Sequence, residues 1–184
     1  MNITYPEIGI CGLSCLLCPN YYTDGKSRCS GCKTESRMAA GCPFITCAIK
    51  KKRVEFCWDC PESPSCKTWS NHREQGKKRD SFKCYQTLEK DIDFIQTYGV
   101  AEFEKTQRIR AELLQEMLQD YNEGRSKRYY CIAATVLEIE ALQGALHEAR
   151  SRSKGLDLKG RSKLLHTVLD KSAAEKNYVL KLRK

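Results

Sequence analysis

The sequence lacks any run of about 18 apolar residues, which is the length that a helix needs to cross a membrane. Its first ten residues also lack the pattern of a secretory signal, because they carry no positive charge and contain Pro6 and Glu7. We therefore expect a cytoplasmic protein with no membrane partner. Thiols are kept reduced in that compartment, so clustered cysteines indicate metal or redox chemistry rather than a disulfide framework.

Several signatures of enzymes are missing as well. The sequence has no Ser–His–Asp constellation, no glycine-rich phosphate-binding loop and no His-x-x-x-His zinc motif. Its three histidines are scattered: His72 could replace a cysteine as a metal ligand, whereas His147 and His166 are expected on helix surfaces. These absences favour a protein that is not an enzyme, without deciding the question.

Cysteine, in contrast, is abundant. The chain has 12 cysteines, and 11 of them precede residue 85. Three pairs are separated by two residues, a spacing that lets one tight turn aim two sulfur atoms at a single metal ion. This pattern predicts metal binding in the first part of the chain. The candidate ligands are Cys11, Cys15, Cys18, Cys29, Cys32, Cys42, Cys47, Cys57, Cys60 and Cys66.

The spacing also predicts how these ligands are grouped. Four thiolates complete one tetrahedral zinc site, so we expect two zinc ions. The best-spaced quartet consists of Cys15, Cys18, Cys29 and Cys32. A second site would contain Cys57 and Cys60, completed by Cys47 and Cys66, with Cys42 as a substitute. The roles of Cys11 and Cys84 stay open.

An iron–sulfur cluster is the alternative to zinc. Cys11-x3-Cys15-x2-Cys18 has the spacing of a three-cysteine cluster site, and Pro19 follows its last cysteine, as a proline often follows a cluster ligand. A four-cysteine [4Fe-4S] cluster would use the same donors. Zinc is our expectation, because closed thiolate sites suit it and no redox chemistry is required.

Cys131 stands apart from the other cysteines. Its basic neighbours Arg125, Lys127 and Arg128 could lower the pKa of its thiol and make it a nucleophile or a late metal ligand. Its position beside Tyr130 instead favours a cysteine that is buried as a small apolar residue. We expect this second arrangement.

The two halves of the chain predict different structures. Residues 1–84 hold all five prolines and little apolar periodicity, so metal must supply much of their folding energy. After Cys84 apolar residues recur at helical spacing, with Gly99 and Gly124 as expected helix ends and Ser126 as the cap of a third helix. Leu142 and Leu146 either continue that third helix or open a fourth.

We therefore predict a small metal-stabilised cysteine-rich module, irregular and knuckle-like or ribbon-like, followed by an all-α helical bundle. Residues 1–84 would form the module, residues 85–150 the bundle, and residues 151–184 a basic C-terminal helix packed on the bundle or extending from it. The expected function is that of a metal-binding adaptor or interaction module. An iron–sulfur or metal-handling accessory protein is the alternative.

The net charge of +9 bears on the partner. Residues 1–84 carry 14 basic and 8 acidic groups, residues 85–149 carry 7 and 12, and residues 150–184 carry 11 and 3. Basic runs at residues 50–53 and 77–79 make nucleic acid a candidate partner, but no known nucleic-acid motif accompanies them. An unidentified protein is the partner that we expect.

Four short motifs carry a family resemblance: Cys11-Gly12-Leu13-x-Cys15-x2-Cys18-Pro19, Cys29-x-Gly31-Cys32, Cys47-Ala48 and Phe56-Cys57-x2-Cys60-x5-Cys66. They resemble DUF3795, a prokaryotic cysteine-rich family of unknown function. The segment from Tyr121 to Ala134 resembles the helical extension of many members, so the resemblance covers about residues 8–145. It implies a metal-type cysteine set with a helical part, and no activity.

Two features depart from the family pattern. Pro64 and Ser65 precede Cys66, where members place Phe-Pro directly before the last cysteine. No proline occurs near Glu138, so the third helix is expected to run on without its usual break.

Overall fold

The computed structural model describes residues 2–34, 37 and 42–184. Short 3-10 turns characterise its cysteine-rich part, at Cys15–Leu17, Pro19–Tyr22, Gly25–Ser27, Cys57–Asp59 and Ser63–Ser65. The α-helices of the described residues are α1 (Pro43–Ile45, continued by a π-helix at Thr46–Lys52), α2 (Lys67–Lys78), α3 (Leu88–Tyr98), α4 (Val100–Asp120), α5 (Lys127–Val136), α6 (Ile139–Arg152) and α7 (Leu158–Glu175). β-structure in the same residues is limited to one antiparallel bridge between Ile8 and Ser14.

This order of elements confirms the coarse fold prediction, an irregular cysteine-rich region followed by an all-α region. Pro19, Pro43 and Pro64 each lie in the first turn of a short helix, where the missing N–H needs no partner. No helix in the described part of the chain is long and apolar enough to cross a membrane.

The predicted end of α3 is confirmed, whereas the predicted end of α4 is wrong. Gly99 follows α3 as predicted, with a φ of +88° that glycine adopts without steric cost. Helix α4 ends at Asp120, earlier than the predicted end at Gly124. Tyr121 already leaves the helical path and is buried in the core, and Gly124, with a φ of +98°, belongs to the following turn.

The chain breaks between α5 and α6 without a proline. Leu137 and Glu138 are extended, so Leu142 and Leu146 open a fourth helix, and the prediction that the third helix runs on is wrong. The Arg110 guanidinium of α4 donates to the carbonyl of Ala134, at 2.9 Å, and to that of Leu137. A side chain of α4 thus satisfies carbonyls at the end of α5, which lets α5 stop there.

The hydrophobic core joins the two regions. Its largest cluster contains residues of α4, α5, α6 and α7 together with Leu16 and Leu17 of the first 3-10 turn. A second cluster combines Ile8 and Phe56 with Ile95 and Phe103, and a third combines Leu13 and Trp69 with residues of α3. The cysteine-rich region therefore packs directly on the helices, and the division at residues 84 and 150 stays a prediction.

The segment after α7 returns to the start of the helical region. Gln86 exchanges hydrogen bonds of 2.8 and 3.1 Å with the backbone of Val179. Arg183 donates to the Asp80 carboxylate from its backbone N–H, at 2.8 Å, and from its guanidinium, at 3.0 and 3.1 Å. Burial acts to raise the pKa of Asp80, but these hydrogen bonds and one from the Tyr85 N–H outweigh burial and lower it.

We expect Asp80→Ala to lower the free energy of unfolding by about 3 kcal/mol, because it leaves the partly buried Arg183 guanidinium without a carboxylate partner. The folded-state pKa of Asp80 is lowered, so its stabilisation is complete above about pH 4, the ordinary aspartate value, and is lost as the pH falls through the lowered value. Urea unfolding of both proteins across this pH range measures the effect.

Asp24→Ala is the matched control, since Asp24 is exposed and makes no cap hydrogen bond in its 3-10 turn. It should change the free energy of unfolding by no more than about 0.5 kcal/mol. Equal losses in the two variants would contradict a specific role for the contact between Asp80 and Arg183.

Candidate metal centre

Two of the three cysteine pairs form the same kind of turn. In each, a 3-10 turn starts at the first cysteine, and the N–H of the second donates to the carbonyl of the first. The distance is 3.1 Å from Cys18 to Cys15 and 3.3 Å from Cys60 to Cys57. Cys18 and Cys60 then leave the turn in an extended conformation. The tight turns that the spacing predicts are therefore present at both pairs.

The third pair, Cys29 and Cys32, depends on a glycine between its cysteines. Gly31 has a φ of +118°, and a Cβ at this position would lie 3.2 Å from the carbonyl oxygen of Pro6. The N–H of Cys29 donates to the carbonyl of Asn20 at 3.0 Å, which ties this pair to the turn after Cys18. The backbone thus brings the first and third pairs together.

Cys15 and Cys32 are in contact. The backbone N–H of Cys32 donates to the Cys15 sulfur at 3.3 Å. A second hydrogen bond joins the two side chains; it lowers the pKa of Cys15, and together with burial it raises the pKa of Cys32. The Cys15 sulfur is therefore the one that carries negative charge most readily. Arg37 donates to the Cys29 sulfur at 3.4 Å, and this bond raises the pKa of Arg37, as do the nearby thiols of Cys32 and Cys18.

A buried lysine lies beside the first group of cysteines. The residue Lys83 is only 7% exposed. Burial acts to lower its pKa, but nearby thiols outweigh burial and raise it; they belong to Cys15, Cys32, Cys18 and Cys11. The sequence did not reveal this residue, because nothing in the segment around Lys83 indicates that it approaches cysteines 51 to 72 positions earlier.

The second group centres on Cys57. Burial and neighbouring thiols together raise the pKa of the Cys57 thiol to about 12; these thiols belong to Cys11, Cys66, Cys47 and Cys60. Cys47 is exposed, while Cys60 and Cys66 are half-buried. The two predicted completers, Cys47 and Cys66, thus lie in the electrostatic neighbourhood of the Cys57/Cys60 turn.

Cys11 and Cys42 lie between the two groups. Burial raises the pKa of Cys11, and the thiols of Cys15 and Cys42 add to this increase, while Lys83 opposes it. Cys42 precedes α1 and packs, like Cys32 and Cys57, on the cluster of Ile10, Ile45 and Ala48. Cys11 is therefore close both to the first quartet and to Cys57.

The donor set fits a metal chemically, although its side chains do not form a closed site. Within residues 2–34, 37 and 42–184, no three His, Cys, Asp or Glu side chains are arranged so that they could hold a metal ion. All ten candidate cysteines are free thiols, the donors that both zinc and iron–sulfur clusters accept. Metal coordination and its ligand grouping stay predictions.

His72 lies near the second group, inside an aromatic cluster. Its ring centroid lies 4.7 Å from that of Phe44, 5.2 Å from Tyr85 and 5.8 Å from Trp69. Burial lowers the pKa of His72, and its buried Nε2 has no hydrogen-bond partner among the described residues. Trp69 is buried in the cluster on which Cys11, Cys57 and Cys66 pack, so an apolar ring lies beside these thiols.

Cys131 and Cys84 belong to the helical core. Cys131 is 1% exposed, and burial raises the pKa of its thiol to about 12, so the prediction of a buried core cysteine is confirmed. Burial also raises the pKa of Cys84, whose sulfur accepts a hydrogen bond from Gln86 at 3.4 Å.

His166 is not on the surface as predicted, whereas His147 is exposed as expected. His166 is half-buried, stacks on Tyr129 with ring centroids 3.8 Å apart, and hydrogen-bonds the Ser126 hydroxyl at 2.8 Å. The Ser126 and Ser162 hydroxyls both donate to Glu123, at 2.7 and 2.6 Å. The Glu123 carboxylate thus accepts hydrogen bonds from the serines and not from the histidine. This is not the arrangement of a catalytic triad, in which the acid hydrogen-bonds the histidine.

Comparison with known proteins gives a family for the cysteine-rich region. Residues 7–71 match the model of the family described as "Protein of unknown function (DUF3795)". This range contains all ten candidate cysteines, whereas the helical part of the resemblance, up to residue 145, lies outside it. No curated protein and no solved structure matches the chain. The cysteine-rich segment of this protein therefore belongs to the DUF3795 family over residues 7–71.

Proposed function

We propose that the cysteine-rich region holds two zinc ions in all-cysteine sites and that the protein acts as a non-enzymatic interaction module. The ligands of the first ion are Cys15, Cys18, Cys29 and Cys32. The ligands of the second are Cys47, Cys57, Cys60 and Cys66. The observation that carries this proposal is the contact between two cysteine pairs, in which the N–H of Cys32 donates to the Cys15 sulfur at 3.3 Å and the N–H of Cys29 donates to the carbonyl of Asn20 at 3.0 Å.

The charge of Lys83 supports the first site. Zinc with four thiolates carries a net charge of −2, and burying such a charge is costly unless an opposite charge lies nearby. Lys83 is buried, and its pKa is raised by thiols that include Cys15, Cys32 and Cys18, so it stays protonated beside them. A buried ammonium group next to sulfur ligands stabilises the thiolate form that zinc requires.

The composition of the region supports a structural role for the metal. Several of its buried apolar residues, such as Leu16, Leu17 and Phe56, pack on the helical region, and the cluster that it forms by itself is small, with Ile10, Ile45 and Ala48 as its buried members. Bound metal would supply the internal cross-links that this short irregular segment otherwise lacks. A closed four-thiolate site leaves no open coordination position for a substrate, which favours a scaffold over a catalyst.

Substitution of single ligands tests the zinc proposal. Cys15→Ser, Cys18→Ser, Cys29→Ser and Cys32→Ser should each lose about one metal equivalent, because a quartet without one thiolate is a poor site. Cys131→Ser is the control and should keep its metal content, since Cys131 is buried in the helical core. Elemental analysis of protein purified without oxygen measures both the identity and the amount of metal.

Two results would contradict the proposal. Metal-free protein whose cysteine-rich region is fully protected from amide exchange would show that no metal is needed. Iron with inorganic sulfide, in a brown preparation, would replace zinc by an iron–sulfur cluster on the same cysteines.

Removal of the buried charge tests the role of Lys83. Lys83→Met keeps much of the side-chain volume but leaves the thiolates without a neighbouring cation, so we expect the zinc dissociation constant to rise roughly 10- to 100-fold. Competition with a chromophoric chelator measures this constant. Lys154→Met removes one charge at an exposed position and should leave it unchanged. Equal affinities of the two variants would show that Lys83 does not support the metal.

A further inference from the structure

A positively charged groove lies beside the first cysteine turn. It has a volume of about 920 Å³ and runs between the turn after Cys18, the start of α5 and the C-terminal segment. Six basic residues line it: Arg125, Lys127, Arg128, Lys181, Arg183 and Lys184. The only acidic residue among its described lining residues is Asp80.

Most of this positive charge is not neutralised by the protein. Asp80 is already bound by Arg183, and Lys127 donates to the carbonyl of Tyr22 at 3.1 Å. The other four cations are exposed and have no ion-pair partner in the part of the chain that the structure describes; they are Arg125, Arg128, Lys181 and Lys184. Four uncompensated cations around one groove repel one another and attract a polyanion.

An exposed aromatic ring stands at the edge of the same groove. Phe82 is 55% exposed and follows Ser81, which lines the groove. Phe82 itself lines a small adjoining cavity, which shares Pro19, Arg128, Ile132 and Leu182 with the groove. An exposed phenyl ring next to a row of cations is the combination on which proteins bind single-stranded nucleic acid, with bases stacked on the ring.

We propose that this groove binds single-stranded nucleic acid, with phosphates along the four free cations and a base on Phe82. The proposal names a partner for the interaction module and rests on the proposed function in one respect: the wall formed by Pro19, Asn20 and Thr23 directly follows Cys18, and a metal at that cysteine would hold it in place. DNA and RNA offer the same phosphates and bases.

The shape and lining of the groove favour a nucleic acid over an anionic membrane. A membrane surface binds an apolar face rimmed by cations. Here the apolar residues Ile132 and Leu182 lie inside a concave groove, where a flat bilayer does not reach but a flexible strand does. The basic runs at residues 50–53 and 77–79 do not line it, and within them Lys52 pairs with Glu62 and Lys77 with Glu74.

Fluorescence anisotropy with short oligothymidylate and oligouridylate, measured across a range of salt concentrations, tests the proposal. Four phosphate contacts to a single strand predict a log–log slope of the affinity against salt of about −3. The variant R125E/R128E/K181E/K184E should abolish binding. Its matched control, K51E/R53E/K67E/K154E, makes the same change in net charge at exposed sites outside the groove and should retain most of the affinity.

The aromatic contact has its own variant. Phe82→Ala should weaken binding about 5- to 150-fold, the range of one base–aromatic stack, and should leave the salt slope unchanged. Tyr98→Ala removes an aromatic ring that is 65% exposed elsewhere and should have no effect. A preference for one of the two oligonucleotides identifies DNA or RNA as the source of the strand.

Metal content is measured on every sample, which separates the two proposals. Metal-loaded protein that binds neither oligonucleotide, or that loses affinity equally in the two charge variants, overturns the nucleic-acid proposal and leaves the zinc proposal intact. Binding of vesicles that contain anionic lipid, without binding of either oligonucleotide, would overturn it in favour of a membrane surface. Metal-free protein that still binds in the groove would refute only the zinc proposal.

Discussion

An ammonium group removed from water destabilises a protein by several kcal/mol unless negative charge lies beside it, and Lys83 is buried in this way. Cysteine thiols lie beside it, and the contributions that raise its pKa most come from Cys15, Cys32, Cys18 and Cys11. Cys84, the next residue, is fixed in the main helical core. The packing of the helices therefore fixes the position of Lys83, and its ammonium group in turn favours the ionised form of the neighbouring cysteines.

Features that depend on neighbouring residues were predictable from the sequence. The Cys-x2-Cys turns, the end of α3 at Gly99 and the apolar face of Leu88, Ile92 and Ile95 follow from local spacing, and all are present. Features that depend on distant residues were not. Arg110 stops α5 from 24 and 27 positions away, and Ser126 hydrogen-bonds His166 across 40 positions instead of capping its own helix. The approach of Lys83 to the cysteines is of the same kind.

One turn connects the cysteine groups, the helical core and the groove. In the turn Pro19–Tyr22, the carbonyl of Asn20 accepts from Cys29 and the carbonyl of Tyr22 accepts from Lys127 of α5. The Tyr22 hydroxyl donates back to the carbonyl of Leu16 at 2.7 Å. A change at the first cysteine quartet would therefore move the start of α5 through hydrogen bonds, without a long chain of intermediates.

The return of the C-terminal segment to Asp80 has a consequence for the order of folding. The two residues of this contact are 103 positions apart, so a long loop closes when they meet. The chain loses conformational entropy on closing this loop before the contact can stabilise the fold. Arg183 is synthesised 103 residues after Asp80, and so well after the cysteine-rich region. We therefore expect Lys181 and Lys184 to join the groove after the cysteine-rich region has had time to fold.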